Sequence, residues 1–115
     1  MSELPLVNVV VPSYNHARFV EGCVRSILEQ TYPNIKILVI DDGSTDDSPM
    51  ILERMAKEYG FDLRLQSNRG LLPTLNFALG EIDGEYFAPF ASDDIMLPNR
   101  IALQVAHMQA HPEVA

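Results

Sequence analysis

The sequence predicts an α/β fold, in which a parallel sheet carries helices on both of its faces. Four short apolar runs alternate with segments of helical periodicity, which gives the order βαβαβαβα. Alternation of this kind specifies parallel strands joined by right-handed crossovers, and ligands then gather at the carboxyl ends of the strands. The length of 115 residues and a hydrophobic content of 47% suit one domain with its own core, over residues 1–115.

The first half of the chain predicts a strand, a helix, a second strand and a second helix. Leu6 to Val11 and Ile35 to Ile40 are apolar runs that one polar residue interrupts, as in strands buried on both faces. Ser48 followed by Pro49 begins the second helix, and Gly60 suits its C-terminal end. Between the two strands, apolar residues recur along one stripe of a helix: Phe19, Val20, Cys23, Val24, Ile27 and Leu28.

The second half repeats the alternation with shorter elements. Phe61 to Gln66 alternates apolar and polar side chains, which predicts a strand nearer an edge of the sheet. Leu71 to Leu79 predicts a short helix that tolerates Pro73 in its first turn. Glu85 to Phe90 is an aromatic-rich strand, and Pro98 to His111 predicts the last helix.

The charge balance argues against several classes of partner. Eight Lys+Arg residues against sixteen Asp+Glu residues give a net charge of −8. This acidity argues against broad electrostatic attachment to nucleic acid or to anionic lipid. The single cysteine, Cys23, falls on the apolar stripe of the first helix. We therefore expect it in the core and not as a nucleophile, and a lone cysteine indicates either a reducing compartment or a protein indifferent to redox conditions.

Neither a membrane span nor a secretory signal is expected from the sequence. The longest stretch without a charged residue, Leu4 to Ala17, contains prolines and polar residues and is shorter than the ~20 apolar residues of a bilayer span. The N-terminus lacks a positively charged segment followed by a long apolar core. We expect a cytoplasmic protein, located at the cytoplasmic face of a membrane if the full-length form is membrane-attached.

Two acidic loops follow predicted strands whose carboxyl ends lie at the same edge of the sheet. Asp41 to Asp47 carries four carboxylates after the second strand, and Asp93 with Asp94 follows the fourth. Two acidic loops in one crevice repel each other unless a cation or a hydrogen-bond donor lies between them. Carboxylate oxygens suit Mg²⁺ or Mn²⁺, ions that take further ligands from substrate phosphates. We therefore expect a divalent cation that holds a diphosphate.

Simpler explanations apply to parts of these loops. Asp46 and Asp47 are explained equally well by a solvated turn that caps the second helix, whereas Asp42 directly follows a buried strand and favours a site. The loop from Pro12 to Asn15 lacks the glycines of a dinucleotide-binding fingerprint, which excludes a typical NAD or FAD site. His16 could approach a phosphate, although a surface or capping role is the simpler explanation, and His107 and His111 fall on the last helix without carboxylate partners in sequence. None of the three histidines is expected in catalysis.

Three segments of the chain resemble family 2 glycosyltransferases of the GT-A fold. They are VVVPSYNHARFVEGCVRSILEQTYPNIKILVIDDGSTDDS, NRGL and GEYFAPFASDD, in the order and spacing of that family, and the resemblance runs from about Val7 to Pro112. It implies a Rossmann-like parallel sheet that forms the N-terminal half of the GT-A fold. It also implies an inverting transfer of a sugar from a nucleotide diphosphate donor, usually UDP-linked, to a hydroxyl of a carbohydrate or lipid-linked acceptor. Mn²⁺ or Mg²⁺ assists that reaction, and a role in cell-surface polysaccharide biosynthesis would follow.

The resemblance implies roles for individual residues. Pro12, Tyr14 and Asp42 match positions that line the base and ribose pocket in that family. Asp93 matches a residue that meets the ribose or the metal, and Asp94 matches the metal ligand that bridges the diphosphate.

One further candidate and two departures from the family pattern matter. Arg69 matches the nucleotide-side loop, although a plain turn with a positive φ at Gly70 is the simpler explanation. Ala91 stands where family members often carry another Asp, and Leu72-Pro73 where they often carry a small or basic residue, so the sugar donor stays open. The resemblance places the acceptor half and the general base beyond Ala115. These residues are therefore expected to be a donor-binding fragment without a catalytic base.

Other functions fit the sequence less well. A phosphoacceptor receiver domain needs an acidic pair after the first strand and an Asp after the third, and this chain has neither. A haloacid-dehalogenase-type phosphatase needs Asp-x-Asp before Gly-Thr, where this chain has Asp41-Asp42-Gly43. A non-catalytic nucleotide-sugar-binding module stays open as the alternative. We also expect self-association through an open sheet edge after Phe90.

Overall fold

The computed structural model describes residues 4–82 and 86–111, and within them eight elements follow in the predicted order. The strands are β1 Val7–Ser13, β2 Ile35–Asp42, β3 Asp62–Gln66 and β4 Tyr86–Pro89. The helices are α1 Val20–Leu28, α2 Ser48–Tyr59, α3 Leu71–Glu81 and α4 Arg100–Ala110. The predicted alternation is confirmed. Glu85, the predicted first residue of the fourth strand, lies outside the described residues.

The four strands form one parallel sheet in the order β3-β2-β1-β4. β1 pairs with β2 from Val7 opposite Ile35 to Ser13 opposite Asp41, and it pairs with β4 on its other side. β1 and β2 therefore lie inside the described sheet, which explains why both are nearly continuous apolar runs. β3 and β4 form its two edges.

β1 and β2 are each two residues longer at their carboxyl ends than the apolar runs predict. Pro12 pairs with Ile40 and Ser13 with Asp41, so the parallel ladder continues past the last apolar residue of β1. Ser13, Asp41 and Asp42 are buried although they are polar. The sequence boundaries were wrong here because backbone pairing, and not side-chain polarity, decides where these strands end.

Helices cover both faces of the sheet, as predicted. Successive side chains of a strand point to opposite faces. Val9 and Val11 of β1 accordingly belong to the large core with α1, α2 and α4, whereas Val10 packs with Ile40 of β2 and Ala78 of α3 on the other face. One face thus carries three helices, and the other carries α3.

Proline and glycine residues explain both ends of α2 and the start of α3. Pro49 lies in the first turn of α2, and Gly60 ends that helix with a φ of 78° while its N–H donates to the carbonyl of Ala56. Pro73 lies in the first turn of α3, where the missing N–H costs no helical hydrogen bond. The helices in the described ranges fall short of the length and apolar character needed to cross a membrane.

Candidate functional site

A pocket opens at the carboxyl ends of β1 and β4. The two neighbours of β1 are reached through helices on opposite faces of the sheet, which makes this the switch point where open α/β sheets bind ligands. The pocket has a volume of about 370 Å³. Its lining comes from the carboxyl ends of β1, β2 and β4, from the loops after β1 and β4, and from α3: Pro12, Ser13, Tyr14, His16, Asp42, Leu71, Thr74, Leu75, Pro89, Phe90, Ala91 and Ser92.

The structure brings half of the predicted site residues into this pocket. The lining includes Pro12, Tyr14 and Asp42. The other three, Arg69, Asp93 and Asp94, belong to loops beside the pocket and do not line it. Three of the five nucleotide-binding candidates are thus grouped, while Arg69 lies in the loop after β3, and Asp93 and Asp94 follow the lining residue Ser92.

A larger cavity of about 540 Å³ lies between β4 and α4. Its lining contains neither Asp nor Glu and none of the predicted site residues. This cavity exceeds the first pocket in volume, but the smaller pocket combines a buried carboxylate with the switch point of the sheet. We therefore assign the candidate site to the smaller pocket.

Asp42 joins the end of β2 to the start of α3. Its Oδ1 accepts hydrogen bonds from the Arg69 N–H at 2.8 Å and from Gln66 Nε2 at 3.0 Å, and its Oδ2 accepts from the Gly70 N–H at 2.9 Å. Gln66 Nε2 also donates to Thr74 Oγ1 at 3.0 Å. The carboxylate therefore satisfies backbone donors that precede α3 and forms part of the pocket wall at the same time.

These contacts keep Asp42 ionised. Burial on its own raises the pKa of this carboxyl, which is only 6% exposed. Hydrogen bonds from Gln66, from the N–H groups of Arg69 and Gly70, and from Thr74 outweigh that effect and hold the pKa below its ordinary value of 3.8. A permanent negative charge thus lines the pocket at neutral pH.

Gly43 allows the loop after β2 to touch the loop after β3. Its φ is 78°, and a Cβ at this position would lie 2.6 Å from the backbone nitrogen of Asn68. Asn68 Nδ2 also donates to the Asp42 carbonyl at 3.0 Å. A side chain at position 43 would therefore displace the loop that supplies the Asp42 contacts. The sequence signal for this close approach was the glycine directly after Asp42.

The capping explanation is confirmed for Asp46 and is wrong for the Asp47 side chain. Asp46 Oδ1 accepts from the Ser48 N–H at 2.9 Å, and its Oδ2 accepts from the Ala17 N–H at 3.0 Å. Asp47 occupies the N-cap position of α2, but its side chain makes no capping bond. The carboxylate that accepts an N–H at the start of α2 therefore belongs to Asp46, one residue before the N-cap residue Asp47.

Asn15 links the loops after β1 and β2, a role that sequence reasoning missed. It has a φ of 54°, and its N–H donates to Ser44 Oγ at 2.9 Å. Its Oδ1 accepts from the Thr45 N–H at 2.8 Å. Asn tolerates this left-handed conformation better than most residues, and that preference was the available signal.

The loop after β4 presents two carboxylates beside the pocket. Both are exposed, and the Asp93 side chain is 50% accessible. Asp94 Oδ1 accepts from the Ile95 N–H at 2.8 Å. Within the described ranges, no group of three or more His, Cys, Asp or Glu side chains is close enough to hold a metal. Two oxygen-donor carboxylates nevertheless fit Mg²⁺ or Mn²⁺ when water and a diphosphate complete the ligand set.

Helix α1 is hydrogen-bonded to the loop after β4. The Met96 N–H donates to Ser26 Oγ at 2.8 Å, and Ser26 Oγ donates to the Cys23 carbonyl at 2.6 Å. The Cys23 thiol donates to the Ala91 carbonyl at 3.4 Å. Burial, with smaller effects from the charges of Asp94 and Asp93, raises the pKa of Cys23 to about 12. Cys23 is therefore an unreactive core residue, as predicted.

His16 bridges the loops after β1 and β4. Its Nδ1 lies 2.6 Å from Ser92 Oγ, and its Nε2 lies 3.9 Å from Asp93 Oδ2. The ring also lines the pocket. A surface or capping position was expected, and the carbonyl of His16 does accept the N–H groups of Phe19 and Val20 before α1. The side-chain bridge had no sequence signal, because Ser92 lies 76 positions away.

The loop after β3 has the turn geometry that the simpler explanation predicts. Gly70 has a φ of 91°, which confirms the expected positive value. Arg69 is exposed, and its backbone N–H, not its side chain, makes the contact with Asp42. A donor contact by the Arg69 guanidinium stays a prediction.

Comparison with known proteins gives consistent matches. The family model described as glycosyl transferase family 2 matches residues 8–115. An uncharacterized glycosyltransferase of Rickettsia conorii is 40% identical over 102 residues, which cover 87% of this chain and 17% of that protein.

Two solved structures resemble the fold. Mannosyltransferase PcManGT from Pyrobaculum calidifontis, in complex with GDP-Man and Mn²⁺, has a TM-score of 0.77 and 33% identity, covering 92% of this chain and 32% of that one. S. aureus TarS 1-349 in complex with UDP-GlcNAc has a TM-score of 0.80 and 26% identity, and the match covers 93% of this chain and 32% of that one. The chain spans about a third or less of each of these proteins.

Proposed function

Because the chain belongs to glycosyl transferase family 2, we propose that it is the donor-binding part of an enzyme that transfers a sugar from a nucleoside diphosphate to a hydroxyl acceptor. It also has the Rossmann-like GT-A fold expected from the sequence, with TM-scores of 0.77 and 0.80 against the two solved structures. The observation that carries the proposal is the pocket at the switch point, with ionised Asp42 in its wall and two carboxylates beside it.

The nucleoside is assigned to the inner part of this pocket. Tyr14 is 47% exposed and can cover one face of a base, while Pro12 offers an apolar surface beside it. Asp42 borders the pocket, where its carboxylate would accept a hydrogen bond from a base N–H or a ribose hydroxyl. UDP is the proposed nucleotide, since the family resemblance favours it. Because the TarS structure contains UDP-GlcNAc and the PcManGT structure contains GDP-Man, the binding experiment below compares UDP with GDP.

The diphosphate is assigned to the loop after β4. Asp94 would hold a Mn²⁺ or Mg²⁺ ion, and Asp93 would contact the ion or the ribose. The PcManGT complex, which contains Mn²⁺, supports this assignment. When bound, such an ion neutralises charge on the departing diphosphate. The chain's own contribution is to present the two carboxylates from a loop that α1 anchors.

The acceptor and the general base are assigned to parts of the protein beyond these 115 residues. Inverting displacement needs a base within hydrogen-bond reach of the acceptor hydroxyl, on the side opposite the leaving group. Asp42 is bound to the start of α3, and Asp93 and Asp94 belong to the diphosphate side. We propose a carbohydrate or lipid-linked acceptor and a cytoplasmic location, at the membrane face if the whole protein is attached there.

The alternative is a non-catalytic module that binds a nucleotide sugar. It is favoured by one observation: the acidic residue that lines the pocket, Asp42, is already engaged by backbone donors. Both candidates share the donor site, and turnover of a donor by the full-length protein would separate them.

Calorimetric titration of the chain with UDP, GDP and ADP tests the donor site. We expect UDP to bind in the presence of Mn²⁺ and to bind more weakly when EDTA removes the ion. Uridine should bind without metal, because the contacts proposed for Pro12, Tyr14 and Asp42 need no ion. Absence of binding by all three nucleotides with Mn²⁺ would overturn the proposal.

A further inference from the structure

We propose that His16 is a positioning residue that holds Asp93 beside the pocket by joining the loop after β1 to the loop after β4. This inference rests on the proposed function, because Asp93 needs a fixed orientation only if it meets the donor. It gives His16 a role in donor binding that acts through a carboxylate and not through the nucleotide itself.

The imidazole ring is fixed from several directions. Its Nδ1 lies 2.6 Å from the hydroxyl of Ser92, which is 1% exposed. The ring meets Phe19 edge to face, with centroids 6.1 Å apart and planes at 79°. The His16 carbonyl accepts the N–H groups of Phe19 and Val20, both at 2.9 Å, so its backbone is tied to the start of α1. The ring therefore has little freedom to turn away from the acidic loop.

The contacts of His16 fall on two successive residues of that loop. When Ser92 Oγ–H donates to Nδ1, the ring presents an N–H at Nε2 toward Asp93 Oδ2 at 3.9 Å, which is longer than a direct hydrogen bond and acts as an electrostatic attraction. The Asp93 side chain is 50% exposed, so water alone would leave its orientation free. A donor that orients a ligating carboxylate is the role that outer-shell groups have at metal sites.

The first experiment compares His16→Ala with the unchanged chain. We expect UDP affinity in the presence of Mn²⁺ to fall by about tenfold, the range seen when outer-shell partners are removed. The loss of uridine affinity without metal should be smaller than this, because uridine has no diphosphate and binds without the ion. His107→Ala provides the control, since His107 is exposed on α4 and outside this pocket. Unchanged UDP affinity in His16→Ala would overturn the inference.

A conservative variant separates positioning from a merely structural role. Asn places its amide at the level of Nδ1, whereas Gln places it at the level of Nε2. His16→Gln can still present an N–H toward Asp93 and should recover most of the Mn²⁺-dependent affinity, whereas His16→Asn keeps only the link to Ser92 and should not. If His16→Ala fails to fold, this pair answers the same question, and equal affinities of the two variants would contradict the role.

A double-mutant cycle tests whether His16 acts through Asp93. In an Asp93→Ala background, His16→Ala should cause no further loss of UDP affinity, because the group it positions is already gone. Independent, multiplicative losses would overturn the inference while leaving the donor site intact. If the unchanged chain binds no nucleotide at all, the proposed function fails first, and the two failures are thereby distinguished.

Discussion

Asp42 combines a structural and a binding role in one carboxylate. It accepts the N–H groups of Arg69 and Gly70 ahead of α3, and it lines the pocket at the switch point. Its importance was predictable because it directly follows a buried strand. The donors that engage it were not, since they lie 24 to 28 positions away and depend on how β3 turns into α3.

Asp42→Asn should destabilise the chain by about 1–3 kcal/mol, because an amide cannot accept from donors on both sides and leaves a buried N–H unsatisfied. Urea unfolding at neutral pH measures this loss. Asp62→Asn is the control, since Asp62 is exposed at the opposite end of β3. If Asp42→Asn lowers the free energy of unfolding by no more than the control does, the structural role of Asp42 is contradicted. Uridine affinity without metal should fall as well, by a similar ~1–3 kcal/mol.

The contribution of Asp42 should depend on pH in a definite direction. Its pKa is lower in the folded chain than the ordinary value of 3.8, so ionised Asp42 stabilises the fold above that value. The stabilisation is lost as pH falls below 3.8 and through the folded pKa. The difference in stability between the unchanged chain and Asp42→Asn should therefore narrow at acid pH. A constant difference across that range would show that the charge is not involved.

Asp94→Ala should remove the metal dependence of UDP binding and leave the fold unchanged. Asp94 is exposed, and its carboxylate accepts a local bond from the Ile95 N–H, so its loss costs little stability. Calorimetry with and without Mn²⁺ provides the measurement, and Asp62→Ala is the matched exposed carboxylate. Retained enhancement of UDP affinity by Mn²⁺ would exclude Asp94 from the metal site.

At the scale of elements, α1 acts as a support for the loop that carries the acidic pair. Ser26 accepts the Met96 N–H, and Gln30 bonds both the Leu97 carbonyl and the Ile101 N–H at the start of α4. The apolar stripe of α1 predicted a helix packed on the sheet. These hydrogen bonds join residues that are 67 to 71 positions apart, and no local sequence pattern predicts them.

Ser26→Ala should destabilise the chain by about 1–3 kcal/mol, since it leaves the buried Met96 N–H without its acceptor. Thermal or urea unfolding measures the change. Ser67→Ala supplies the control, because Ser67 is exposed in the loop after β3. Mn²⁺-dependent UDP affinity should fall as well if the loop loses its position. Equal stability of the two variants would show that Ser26 does not support the loop.

The elements show which features of a sequence fix local structure. Gly60 ends α2 at the predicted residue because its left-handed conformation is a property of glycine itself. The ends of β1 and β2 were misplaced because they depend on pairing between residues 28 positions apart, such as Ser13 and Asp41. Local preference thus sufficed for the end of α2, and it was insufficient for the ends of β1 and β2 and for the end of α3, which extends to Glu81 and not to Leu79.

At the scale of the whole molecule, the strand order creates one binding edge from distant loops. The alternation of elements predicts a parallel sheet but not its order, because the order depends on which face each crossover takes. With β1 between β2 and β4, the carboxyl ends of β1, β2 and β4 meet in the same pocket. This convergence explains why nucleoside candidates from two loops were found together.

The chain should bind donor without transferring its sugar at a rate that requires a positioned base. The carboxylates beside the pocket are assigned to the nucleoside and the diphosphate, which leaves none for the acceptor. Incubation with a panel of UDP-sugars and simple acceptors, with product detected by mass, tests this expectation. Robust glycosylation of an acceptor by these 115 residues would show that one of the assigned carboxylates is the base.

The unequal covering of the two faces has a consequence for motion. α3 packs on its face through a small cluster that includes Val10, Ile40 and Ala78, while three helices share the larger core. Elements with few buried apolar contacts open most readily in the native state. Amide hydrogens of α3 should therefore exchange with deuterium faster than those of α1. Because Leu71 and other residues of α3 line the pocket, bound UDP should slow that exchange, and donor binding would be visible as protection of one helix.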